Sequence, residues 1–187
     1  MSGPRGGRLA LLVGEDNPYT DVPEMALHPD LKGAAGSRLA LILETPPAAF
    51  AAAFARVNLC SGGWDRAAAE AAADALFKEQ ALSGQPTVLL GARVCRAFWL
   101  EFRPFSTFEA ERWLGLEGGE ALTMRGAILP HPSGRCRIWN EPANRLRAAA
   151  TVAAALLEHW PAYEERRVKV VGADLSWREQ PEEGSHA

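Results

Sequence analysis

LALLVGEDNPYT, residues Leu9 to Thr20, is apolar as far as Val13 and turn-forming from Gly14 onward. An apolar run of this length, stopped by a glycine, reads as a β-strand that empties into a turn. The turn presents two carboxylates and an amide, at Glu15, Asp16 and Asn17, and Pro18 stiffens it. Asp, Asn and Pro all favour turns, so a capped turn would account for the segment taken alone. The fold is decided by whether this strand-to-turn unit recurs along the chain.

It recurs. Phe54 to Cys60 (FARVNLC) reads as a second strand, Thr87 to Leu90 (TVLL) as a third stopped by Gly91, and Ala127 to Leu129 as a fourth. Helical segments fall between them. Ser37 to Leu43 (SRLALIL) is a short helix with Ser37 near its N-cap. Trp64 to Leu82 is rich in alanine, with Leu76 and Phe77 among charges, and is a helix by propensity that ends near Ser83-Gly84. Val94 to Phe102 reads as helix, and so does Glu141 to His159, with Pro142 near its first turn. Strands alternating with helices predict an α/β fold: a three-layer α/β/α domain with a central, mainly parallel four-stranded sheet. In such sheets sites form beyond the strand C-termini, where this sequence puts Gly14 to Tyr19, Asn58, Gly91 and His131. Residues 1–163 form the expected domain. Residues 164–187 read as a C-terminal extension, partly disordered, in which Arg167 to Gly172 (RVKVVG) could add an edge strand.

A formal net charge of −3 over 187 residues offers no global attraction to nucleic acid, so any DNA-binding face must be local. The three cysteines, Cys60, Cys95 and Cys136, include no C-x-x-C pair, which argues against a zinc or iron–sulfur site and against a disulfide framework. Free thiols, with no signal-like or membrane-length apolar run, predict a cytoplasmic protein. No metal and no cofactor are expected.

The second informative stretch is LPHPSGRCRIWN, Leu129 to Asn140. Pro130 and Pro132 forbid helix and remove two backbone donors, leaving a stiff loop that displays His131, Ser133, Arg135 and Arg137 at a strand end. Asn58 lies inside an apolar run, where an amide must find partners or face a cavity. Arg93 and Arg96 could line a DNA groove or lie on a helix surface. Arg145 and Arg147 read as solvated, and Trp99, Trp113 and Trp160 as packing residues.

In this order, GEDNPY (Gly14–Tyr19), RVNLC (Arg56–Cys60) and HPSG (His131–Gly134) resemble the uracil-DNA glycosylase superfamily. That family has a first motif of the form G-[QEIML]-[DNA]-P-[YG] and a late [HN]-P-S motif followed by a DNA-inserting segment. The likeness spans roughly Leu9 to Leu157. It implies a monofunctional DNA base glycosylase that flips a damaged or modified base, uracil-type, out of the duplex and hydrolyses its N-glycosidic bond.

The resemblance also implies roles. Asp16 or Asn17 positions water at C1′ and steadies a cationic sugar. Aligning the prolines selects Asn17; aligning the glycines selects Asp16, whose charge suits that cation. His131 stabilises the anion developing on the departing base. Asn58 reads the base edge, Tyr19 blocks a 5-methyl group, and Leu31 stands where some relatives have a stacking phenylalanine. Ser133 and Gly134 approach phosphate, Arg135 fills the vacated stack, and Arg137 meets a backbone phosphate. The first motif holds one residue more than the family pattern, and Leu31 is no aromatic platform. Relatives with an iron–sulfur cluster need four cysteines, more than this chain has. The implied partner is DNA bearing a damaged base, with no membrane and a monomeric state. Two alternatives stay open: the same fold excising another base, such as hypoxanthine or a modified pyrimidine, or a catalytically weak DNA-binding module.

Overall fold

The computed structural model describes residues 10–16, 22–113 and 121–156. Its sheet has five strands: β1 (Ala10–Gly14), β2 (Phe54–Asn58), β3 (Thr87–Leu90), β4 (Ser106–Trp113) and β5 (Ala121–Leu129), in the order β2-β1-β3-β5-β4. The pairs β1–β2, β1–β3 and β3–β5 are parallel. Five helices cover it: α1 (Ala35–Ile42), α2 (Pro47–Ala53), α3 (Arg66–Ser83), α4 (Ala92–Ala97) and α5 (Pro142–Leu156).

Strand side chains alternate between faces, so one apolar run feeds two cores. Ala10, Leu12, Val88, Leu90, Ala127 and Leu129 pack with Leu39, Phe50 and Val152 on the side of α1, α2 and α5. Leu11, Val13, Leu89 and Ile128 pack with Ala73, Phe77 and Val94 on the side of α3 and α4. This is a three-layer α/β/α arrangement. No helix among the described residues is long and apolar enough to cross a membrane.

Local chemistry sets the element ends. The Asp65 carboxylate accepts from Ala68 N at 2.7 Å and caps α3, and Gly84, at φ 66°, stops it. The α4 helix ends sooner than the expected Phe102. Trp99 takes φ 57°, its N–H bonds to Arg96 O at 2.9 Å, and Leu100 N bonds to Cys95 O at 2.9 Å. That closes the helix with a Schellman turn, in which the place usual for glycine holds a tryptophan.

The expected four-stranded sheet is corrected to five strands by β4, which pairs antiparallel with β5 from Ser106↔Ile128 to Trp113↔Ala121. Its residues alternate between half-buried and exposed, as an edge strand with one solvated face requires. The short helix α2 is likewise additional, with Pro47 at its start, where a missing N–H costs nothing. Trp99 and Trp113 do not pack as expected: they are 56% and 73% exposed. Trp160 and the 164–187 extension, with its expected strand, lie outside the described residues.

The connections fix where a site can form. From β1 the chain leaves through α1 and α2 toward β2, on one face. From β3 it leaves through α4 toward the other edge, on the opposite face. The strand order therefore reverses between β1 and β3, and the C-terminal edge at that point is where sheets of this kind form sites.

Candidate functional site

The C-terminal ends of β1, β2, β3 and β5 share that edge. Backbone pairing continues past the strands: Leu59 N bonds to Gly14 O at 3.1 Å and Cys60 N to Glu15 O at 3.0 Å. Gly91 N bonds to Leu129 O at 2.8 Å, which ties the start of the histidine loop to the end of β3.

Gly91 is where the loops touch. It sits at φ 98°, ψ 165°, a conformation essentially restricted to glycine. A Cβ there would lie 3.1 Å from His131 Cβ and 3.2 Å from the Glu15 carboxylate. The missing side chain at Gly91 thus lets Glu15 and His131 approach across β3. Gly14 has the same effect on the adjacent strand, β1. A Cβ there would overlap Asn58 Oδ1 and press on Leu27, so the Asn58 amide lies over the end of β1.

His131 is held from behind. Its Nδ1 accepts from Ser133 N at 3.2 Å, and its carbonyl accepts from Trp139 Nε1 at 3.0 Å. Trp139 is fully buried, edge-on to Phe105 at 5.6 Å, so the loop is pinned to the core by an aromatic anchor. Asn144 Nδ2 donates to Ile138 O at 2.8 Å and fixes the loop's far end. With Nδ1 occupied as an acceptor, the proton of the neutral ring resides on Nε2. Burial lowers the His131 pKa below its ordinary 6.5. The negative charges of Glu15 and Asp16 oppose that shift, and Arg93 adds to it. The ring is therefore neutral at pH 7, with Nε2–H free to donate to another group.

The Glu15 side chain is only 17% exposed and meets Arg93 at 3.5 Å. Asp16 is half-buried and close enough to act electrostatically on His131. Asn58 Oδ1 is buried with no hydrogen-bond partner among the described residues. A buried acceptor without a donor is rare in folded proteins, and a ligand donor is one way to satisfy it.

Asp16, His131 and Asn58 are therefore brought to one edge. Asn17 and Tyr19 lie outside the described residues. Leu31 is half-buried, and its carbonyl accepts from Ala34 N at 3.0 Å; the Leu27 side chain lies with Asn58 Oδ1 against Gly14 at the end of β1. Ser133 closes a turn by accepting from Cys136 N at 3.1 Å, and Gly134, Arg135 and Arg137 are exposed around it. A Cβ on Gly134 would come within 3.0 Å of the Arg38 guanidinium, which adds a fourth cation from α1 to the two loop arginines and Arg93.

Sequence reasoning gave no site role to Glu15, Leu27, Arg38 or Trp139. Glu15 had a signal, since it precedes Asp16 in the same turn, and Trp139 stands in the same stretch as His131; Leu27 and Arg38 lie apart from the motifs, and only packing brings them near. Burial pushes the Cys95 thiol up to about 12, so it is no nucleophile. No three His, Cys, Asp or Glu side chains among the described residues stand close enough together to hold a metal ion. No protein-family model, curated protein or solved structure matches the chain.

Proposed function

We propose that the chain is a DNA base glycosylase that hydrolyses the N-glycosidic bond of a flipped, uracil-type base. One observation supports this reading above the others: a neutral imidazole donor, first-motif carboxylates and an unsatisfied buried amide acceptor share one sheet edge. Each matches a need of the reaction. As the bond from C1′ to the base nitrogen breaks, its electron pair stays on the base and positive charge grows on the sugar. Asp16 balances that charge and holds the water; as the water oxygen bonds to C1′, one of its protons passes to the Asp16 carboxylate, and the released base anion takes up a proton from solvent. His131 Nε2–H donates to the carbonyl oxygen of the departing base, where the negative charge settles. A neutral donor serves here because it need not lose its proton.

Asn58 Oδ1 favours a base with a ring N–H next to a carbonyl. Uracil presents that edge; cytosine and adenine carry no hydrogen on the corresponding ring nitrogen. Hypoxanthine presents it too, so the same observation supports the second reading, excision of a deaminated purine. The phosphate contacts fall to Ser133, Gly134 and Arg137, and the wedge to Arg135.

The test is incubation with oligonucleotides each carrying one altered base, followed by alkaline cleavage of abasic sites. Cleavage at uracil, hypoxanthine or both, absent in Asp16→Ala, is the expected result. No cleavage with any lesion, alongside intact DNA binding, replaces the reading with that of a binding module.

A further inference from the structure

Next to the sheet edge lies a cavity of about 590 Å³ whose wall includes Trp64, Arg93, Arg96 and Trp99. Its volume falls within the ~300–1,000 Å³ of sites that take small organic groups. The acids in its lining are already matched: Glu70 pairs with Arg66 at 2.7 Å, and Glu101 with Arg103 at 2.6 Å. Arg93 lies 5.9 Å over the Trp64 ring while its guanidinium reaches Glu15. Arg96 is exposed and meets no carboxylate among the described residues; its Nε donates to Ala92 O at 3.3 Å. The wall is aromatic and cationic together.

Trp99 is built into that wall at a cost. A bulky residue with positive φ is strained, and this one is 56% exposed, so little burial compensates. One ring face is backed by the Arg112 guanidinium at 4.5 Å, which stacks in turn 4.2 Å over Phe77. Arg112 is fixed by an ion pair with Asp74 and by donating to Phe98 O at 2.8 Å. The indole is thus a supported platform.

We infer that this cavity binds an unstacked nucleotide of a nucleic-acid strand. The base lies against the tryptophans and the phosphate against Arg96, with Arg93 alongside. Flat rings with adjacent cations suit a flat ring bearing an anion, and stacking on tryptophan accepts any base. That the nucleotide belongs to a strand rests on the glycosylase reading: Arg93 joins the cavity to Glu15, so a strand whose lesion reaches His131 passes it.

The experiment is fluorescence anisotropy of a labelled, undamaged oligodeoxythymidylate of about 12 nucleotides, within the site sizes of single-strand binders. The full chain is compared with Trp99→Gly, which also relieves the strain, and with Arg96→Gln, on an exposed helix face. Each substitution should weaken binding at least about five-fold, the low end of one base–aromatic stack. Arg96→Gln should also flatten the salt dependence by about 0.7 in log–log slope. Wild-type affinity in both variants overturns the proposal. Thymidine monophosphate competing as well as the oligonucleotide overturns the strand assignment. Excision by the wild type with unaltered binding in the variants sinks the cavity and leaves the glycosylase standing. Variant-sensitive binding without excision of any base does the reverse.

Discussion

Replacing His131 by alanine separates chemistry from scaffold, because the histidine's structural and proposed chemical contacts use different atoms. The backbone carbonyl of His131 keeps its bond from Trp139 Nε1 whatever the side chain. The side chain contributes one acceptor, Nδ1, to Ser133 N. Losing that bond costs about 1 kcal/mol of stability, and the amide can rebond to water in a half-buried loop. For a domain of this size such a loss lowers Tm by roughly 2–4 °C. The Nε2–H contact with the leaving base exists fully only near the transition state. Removing such a donor costs about 100- to 1,000-fold in the chemical step, or roughly 2.7–4 kcal/mol. Single-turnover excision from a uracil-containing oligonucleotide, measured beside equilibrium binding of the same DNA, should show that rate loss with nearly unchanged affinity. A rate within a few-fold of wild type makes His131 a loop-packing residue only. A parallel fall in binding and rate means that the loop moved.

Asp16→Ala should cut the single-turnover rate by a few orders of magnitude and spare DNA binding; Asn17→Ala should lose less, and equal small losses at both count against either role. Gly91→Ala forces a Cβ between His131 and Glu15 at a backbone conformation costing about 1–3 kcal/mol. Thermal unfolding should therefore shift down and excision collapse, whereas a fully active variant would show that the two loops need not touch. Arg135→Ala should harm excision from duplex DNA far more than from single strands, because only the duplex leaves a hole to fill; the same loss factor on both refutes the wedge. His131 also couples stability to pH. Its folded pKa lies below 6.5, so the unfolded chain binds more protons. Its contribution is complete above 6.5 and declines as pH falls from there to the folded pKa. Denaturant titrations over that range should show a decline that His131→Gln lessens; an unchanged decline would assign it to other groups.

Much of the fold was legible because β1, β3 and β5 end in short apolar runs stopped by glycine or proline. Thr87 to Leu90 and the stop of α3 at Gly84 follow from residue type alone, since local sterics decide them. So does the gathering of Asp16, Asn58 and His131 at one edge: once strands run parallel, their C-terminal loops share a side. The edge strand β4 was not legible, because STFEAERW alternates polar and apolar weakly and only β5 supplies the ladder that makes it a strand. Contacts between residues distant in sequence were not legible either. Glu15 approaches His131 only because Gly91 intervenes without a side chain, and Leu27 lies by Asn58 only through the bare end of β1. Trp99 carries no sign of its exposure in a sequence where tryptophan ordinarily packs; the Schellman turn after α4 and the guanidinium of Arg112 place it. Residue type governs what a segment can do locally, while proximity between segments depends on packing that no single segment contains.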